Sequence, residues 1–140
     1  MKKTIEVISE RNSIYRQRVE LDGFDYLHVD VPEAYGGEGT APDPHDYFDL
    51  SLGACKAITS QMYARRKKWP LEGVSVKVNR DDSEERQGIY RLEVVMTFHG
   101  IEDPEQLARL EEISHKCPIH RLMTASTVEV ATRTTTAAEA

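Results

Sequence analysis

The chain has 140 residues, enough for one domain with its own core and too few for two. Hydrophobic residues make up 39% and charged residues 30%, a balance that permits a packed interior and excludes disorder throughout. Eighteen Lys and Arg against 24 Asp and Glu give a net charge of -6, a field that repels phosphate backbones and anionic lipid heads, so neither nucleic acid nor a membrane is expected as partner. The opening MKKTIEVISERN meets Glu6 and Glu10 before any apolar core forms and does not read as a signal peptide. No run elsewhere is long and apolar enough to span a bilayer. The expected compartment is therefore the reducing cytoplasm, where two cysteines remain thiols rather than forming a permanent structural disulfide.

Alternating apolar residues predict strands at Ile5 and Val7, at Leu27, Val29 and Val31, and at Val74, Val76 and Val78. Ile14, Val19 and Leu21 make a weaker strand. Asp43-Pro44-His45-Asp46 places a capping side chain, a first-turn proline and a third-position carboxylate before an apolar run, which predicts a helix start. That helix should continue to the cations at 65 to 68 and stop at Trp69-Pro70. Between Leu50 and Ala64 its only charge is Lys56, so it should be almost surrounded by protein, with a second subunit as one source of cover.

Tyr90, Leu92, Val94, Met96 and Phe98 give the strongest strand, joined to the preceding one as an antiparallel hairpin through the charged loop 81–88 that ends at Gly88. Asp103-Pro104-Glu105-Gln106 starts a second, amphipathic helix with Leu107, Leu110 and Ile113 on one face, ending near Lys116. A short helix over 118–124 would have Pro118 as its first residue and Cys117 as its N-cap. Val128 and Val130 predict a last strand over 127–131. One domain is expected over 1–134, with a frayed tail over 135–140.

Cys55 lies in the middle of the buried helix and reads, by itself, as a small buried hydrophobe. Cys117 faces helix-start amides, with His115, Lys116, His120 and Arg121 as sources of positive charge. His115, Cys117 and His120, completed by His45 and Cys55, lack the tight repeated spacing of a zinc site. No pair is singled out as a Cys-His hydrolase, and no glycine-rich phosphate loop occurs.

Residues 36–74, GGEGTAPDPHDYFDLSLGACKAITSQMYARRKKWPLEGV, resemble the central segment of the OsmC/Ohr family, written near GPxPxDLLLAALGAC followed by MYAxRKGWPLE. EEISHKCPIHRLM, residues 111–123, resembles that family's KCPVH motif. The two motifs lie in the family's order, the likeness spans roughly residues 12–133, and the RKxWPLE helix end resembles the OsmC-like branch.

The resemblance implies an α+β fold with antiparallel sheets wrapped around a buried central helix, assembled as an intertwined homodimer. It implies a two-cysteine peroxidase acting on organic hydroperoxides, with no cofactor and no metal, recycled by a dithiol of lipoyl type. Cys55 would be the attacking thiolate and Cys117 the resolving thiol. In the family an arginine from the N-terminal strands, held by an acidic residue, activates the first cysteine. Asp46 occupies that acidic place, and Arg16 and Arg18 are the N-terminal arginines on offer; His120, read from its place beside Cys117 rather than from the family, either supports that thiol or faces solvent. The competing reading is a dimer of the same fold that binds a hydrophobic or thiol-reactive ligand without turnover. A thiol and imidazole metal-binding protein is the third.

Overall fold

The computed structural model describes residues 2–138, which fall into two compact units. One comprises the chain up to Gly53 together with Lys77–Val95, and the other Ala54–Val76 together with the chain from Met96 onward. Three elements contribute residues to both: helix α1 (Pro44–Lys67) and strands β4 (Gly73–Asp81) and β5 (Arg91–His99). No helix among the described residues is long and apolar enough to cross a membrane.

In the first unit β1 (Ile5–Ser9), β2 (Gln17–Leu21) and β3 (His28–Val29) form an antiparallel sheet in that order. Val7 faces Val19 and Gln17 faces Val29, so the period-two apolar positions of β1 and β2 meet across the ladder. Ile14 lies outside β2, in the turn before it. The expected third strand shrinks to two residues because Asp30 leaves the ladder: its buried carboxylate accepts from the amides of Val31 (2.8 Å) and Thr40 (3.0 Å) and from the Thr40 hydroxyl (2.5 Å). These bonds hold the carboxyl of Asp30 below its ordinary value. Gly37 is required inside the loop they close, since a Cβ there would collide with the carbonyl of Val31.

The start of α1 is a reciprocal cap. Asp43 accepts from the amide of Asp46 (2.8 Å), and Asp46 accepts from the amide of Asp43 (3.0 Å). Arg80 of β4 then ties the first turns of the helix together, donating to Asp46 (2.8 Å) and to Asp49 (2.6 Å), while the Tyr90 hydroxyl donates to Asp49 (2.7 Å). Burial and the Asp49 carboxylate push the Tyr90 hydroxyl up to about 12, so it remains a donor.

The second unit holds the apolar core. Tyr63 and Ala64 of α1, Ile101, and Leu110 and Ile113 of α2 (Pro104–Ser114) form it, with Trp69, Leu71, Phe98 and Leu107 packed around. The helix ends as its cations and Trp69-Pro70 predict. Lys68 turns left-handed at φ 58°, its amide bonding the carbonyl of Arg65 (3.1 Å) and that of Trp69 bonding Ala64 (3.0 Å). Asp103 caps α2 through the amide of Glu105 (3.1 Å). Helix α3 (Pro118–Thr124) has Cys117 as its N-cap and Pro118 first, as the sequence indicates.

Strands β4 and β5 pair as the predicted hairpin, with cross-strand bonds from Ser75 to His99 and from Asn79 to Glu93 marking the antiparallel sense. One expectation fails. Residues 127–131 are not a strand: Val128 and Val130 are 65% and 83% exposed and the segment has no ladder partner among the described residues. One chain by itself does not surround α1, since Phe48, Leu50, Ile58 and Met62 are all exposed. Of the expected tail, residues 135–138 are exposed and carry neither helix nor strand, and residues 139–140 lie outside the described residues.

Candidate active site

The helix period and the α2–α3 corner bring four chemically useful side chains together in the second unit. α1 supplies Cys55 and Lys56, the corner supplies Cys117, and α3 supplies His120. Both cysteines are free thiols, and Cys55 is close enough to act on the charge of Cys117. Their surroundings differ: Cys55 is half-buried and Cys117 has no exposed surface. The sulfur of Cys117 accepts from the amide of His120 at 3.3 Å, the N-capping geometry. Burial nevertheless pushes the Cys117 thiol up, and the neighbouring Cys55 adds to the rise, against the opposing pull of the His120 amide and of Lys56.

Lys56 is the cation of the cluster. It is 4% exposed, and its Nζ donates to the carbonyl of Ser114 at 2.8 Å and meets Nδ1 of His120 at 3.0 Å. An ammonium has only donors, so Nδ1 accepts and the ring proton sits on Nε2. Burial lowers the Lys56 ammonium from its usual range, and the two thiols oppose that lowering. His120 is lowered as well, by burial, by Lys56 and by His115, whose ring stands 5.7 Å away. Burial and these neighbours thus work against positive charge on His120, which the sequence offered as a source of such charge near Cys117. Lys56 was missed as a site residue, although its position as the lone charge in a long uncharged run, directly after Cys55, was the available signal.

The other expected site residues lie in the first unit. Asp46 does hold an arginine, but it is Arg80 of β4. Arg16 bonds Glu10 (3.4 Å) and the carbonyl and hydroxyl of Thr40 (3.2 and 2.7 Å). Arg18 pairs with Glu20 at 2.9 Å. His45, considered as a metal ligand, bonds Glu85 instead (3.0 Å). Among the described residues no three His, Cys, Asp or Glu side chains are placed to hold one metal ion.

One turn beyond Cys55 an open groove of about 510 Å³ runs along α1 to the start of β4, lined by Ile58, Met62, Ala64, Trp69 and Leu71 with Arg65 among its polar members. Its size suits a small organic molecule.

A family model described as OsmC-like protein matches residues 37–133. No curated protein matches the chain. Among solved structures, an OsmC-like protein from Mycoplasma pneumoniae is similar with a TM-score of 0.71 at 16% identity, over 89% of each chain. The organic hydroperoxide resistance protein OsmC from Legionella pneumophila has a TM-score of 0.62 at 22% identity, over 89% of this chain and 90% of that one. The organic hydroperoxide resistance protein OhrB of Bacillus subtilis has a TM-score of 0.56 at 18% identity, over 89% of this chain and 92% of its own.

Proposed function

The chain belongs to the OsmC-like protein family, and from that membership and its cysteine pair we propose that it is a thiol-dependent peroxidase that reduces organic hydroperoxides. The observation that carries the reading is the unequal exposure of two neighbouring thiols. Cys55 is open enough to meet a substrate, whereas Cys117 is sealed off and can meet little but Cys55. That asymmetry is what an attacking and a resolving cysteine need.

In this mechanism the Cys55 thiolate attacks one peroxide oxygen, the O–O bond breaks, and the alkoxide leaves as alcohol after taking a proton. Cys55 is left as sulfenic acid. The Cys117 thiolate then attacks the sulfenic sulfur, hydroxide leaves as water, and a Cys55–Cys117 disulfide forms. An external dithiol, of which a lipoyl group is one, returns both thiols by exchange. A reducing compartment such as the cytoplasm suits this cycle.

A homodimer belongs to the same reading. One chain buries Asp49, Lys56 and Ser60 of α1 while leaving Phe48, Leu50, Ile58 and Met62 exposed. A helix with polar groups inside and apolar ones in water calls for cover over its outer face, and a second copy provides it.

The test is mass spectrometry of protein treated with one equivalent of an alkyl hydroperoxide. The reading requires a product lighter by the two thiol hydrogens, with Cys55 linked to Cys117. Untouched thiols after treatment would favour a dimer of this fold that binds a hydrophobic ligand without turnover.

A further inference from the structure

A buried amine is costly unless an anion or a full set of hydrogen bonds compensates it. Lys56 has two acceptors, both neutral: the Ser114 carbonyl and the His120 ring. Among the described residues no carboxylate is paired with it, and the acids that act on its charge are Cys117, more strongly, and Cys55. The titratable groups facing this cluster are Cys55 from α1, His115 and Cys117 from the α2–α3 corner, and His120 from α3. His120 links the amine to the sulfur, since its ring meets Lys56 and its amide donates to Cys117.

We propose that Lys56 is the positioning residue of the resolving step: anchored on Ser114 and His120, its ammonium holds the negative charge of the Cys117 sulfur and keeps the α2–α3 corner against Cys55 while the disulfide closes. The step served is the one in which a thiolate is hardest to obtain, because Cys117 is the more deeply buried sulfur. Its balance is simple. The Cys117 thiolate forms the S–S bond as the S–O bond of the Cys55 sulfenic acid breaks, and the departing hydroxide takes up the proton Cys117 gave up. The electron pair of the Cys117 thiolate becomes the S–S bond, the pair of the S–O bond departs with the hydroxide, and one water leaves.

This assignment rests on the peroxidase reading for the step it serves, but the charge it places beside Cys117 can be tested without turnover. In a Cys55→Ser protein, the ultraviolet absorbance of the Cys117 thiolate is followed against pH, with Lys56 intact and as Lys56→Gln or Lys56→Arg. Glutamine keeps a donor for Ser114 and removes the charge, while arginine keeps the charge. The expected result is a Cys117 midpoint raised by about one pH unit or more in Lys56→Gln and restored toward the parent in Lys56→Arg. Should Lys56→Gln not fold, Lys56→Met carries the same readout.

With both cysteines present, Lys56→Gln should slow conversion of sulfenic acid to disulfide by about tenfold or more and slow peroxide attack less. A purely structural anchor would leave the Cys117 midpoint where it was, and that result overturns the proposal. If the wild-type protein consumes no hydroperoxide, the peroxidase reading falls while the titration still decides the role of Lys56.

Discussion

At the scale of the residue, chemistry is set by who can reach whom. Cys55→Ser should abolish hydroperoxide consumption, because the remaining thiol has no exposed surface. Cys117→Ser should consume about one equivalent and stop at sulfenic or over-oxidised Cys55, seen by a sulfenic-acid trap and by mass. If Cys117→Ser is the variant that fails to react, the roles are reversed. Asp30 allows a pH prediction. Its carboxyl is held below its ordinary 3.8 by Thr40 and Val31, so its contribution to stability is complete above 3.8 and lost as pH falls through the lower folded value. Asp30→Asn should therefore unfold at lower denaturant than wild type at neutral pH, and the two midpoints should converge in acid. Both cysteines stood out in the sequence, but the direction of charge around them did not. His120 looks cationic on paper because its neighbours in sequence are basic. What opposes that charge is burial, together with a lysine 64 positions away in the chain that donates to its ring.

At the scale of the element, local signals were legible and partner-dependent ones were not. Helix ends follow from residues within one turn of each other, so Asp43, Asp103, Cys117 and the prolines after them placed three helix starts from sequence alone. Strand alternation says which face would be buried but not whether a partner strand is present, which is why Val128 and Val130 suggested a strand that does not form in the single chain. β3 was cut short by side-chain bonds from Asp30 to a threonine ten residues on, and alternation carries no sign of those. The end of α1 offers a test of local strain. Lys68 is left-handed where the family pattern has glycine, and a side chain there costs about 1 kcal/mol. Lys68→Gly should raise stability by about that amount in chemical denaturation, moving Tm up by about 2–4 °C. A loss of stability would mean that the lysine side chain contributes more than its backbone costs.

At the scale of the whole molecule, the pattern of α1 couples assembly to function. The scarcity of charge between Leu50 and Ala64 indicated from sequence that the helix needs cover, and the single chain leaves that need unmet at Phe48, Leu50, Ile58 and Met62. Light scattering should give twice the chain mass. Met62→Glu, at a side chain 64% exposed in one chain, should fold and yet shift the protein toward monomer. A dimer unchanged by that charge would place the interface elsewhere. Ile58 and Met62 also line the groove beyond Cys55, so an alkyl chain has apolar surface to bury there, at about 0.8 kcal/mol per methylene, while hydrogen peroxide has none to offer. The central claim is reduction of organic hydroperoxides at Cys55, and stopped-flow oxidation of the reduced protein by hydrogen peroxide and by alkyl hydroperoxides of increasing chain length tests it most directly. The account predicts a second-order rate that vanishes in Cys55→Ser and is at least about tenfold greater for a bulky organic hydroperoxide than for hydrogen peroxide, a difference of about 1.4 kcal/mol in transition-state stabilisation. Equal rates for all peroxides, or a fastest reaction with hydrogen peroxide, would contradict it.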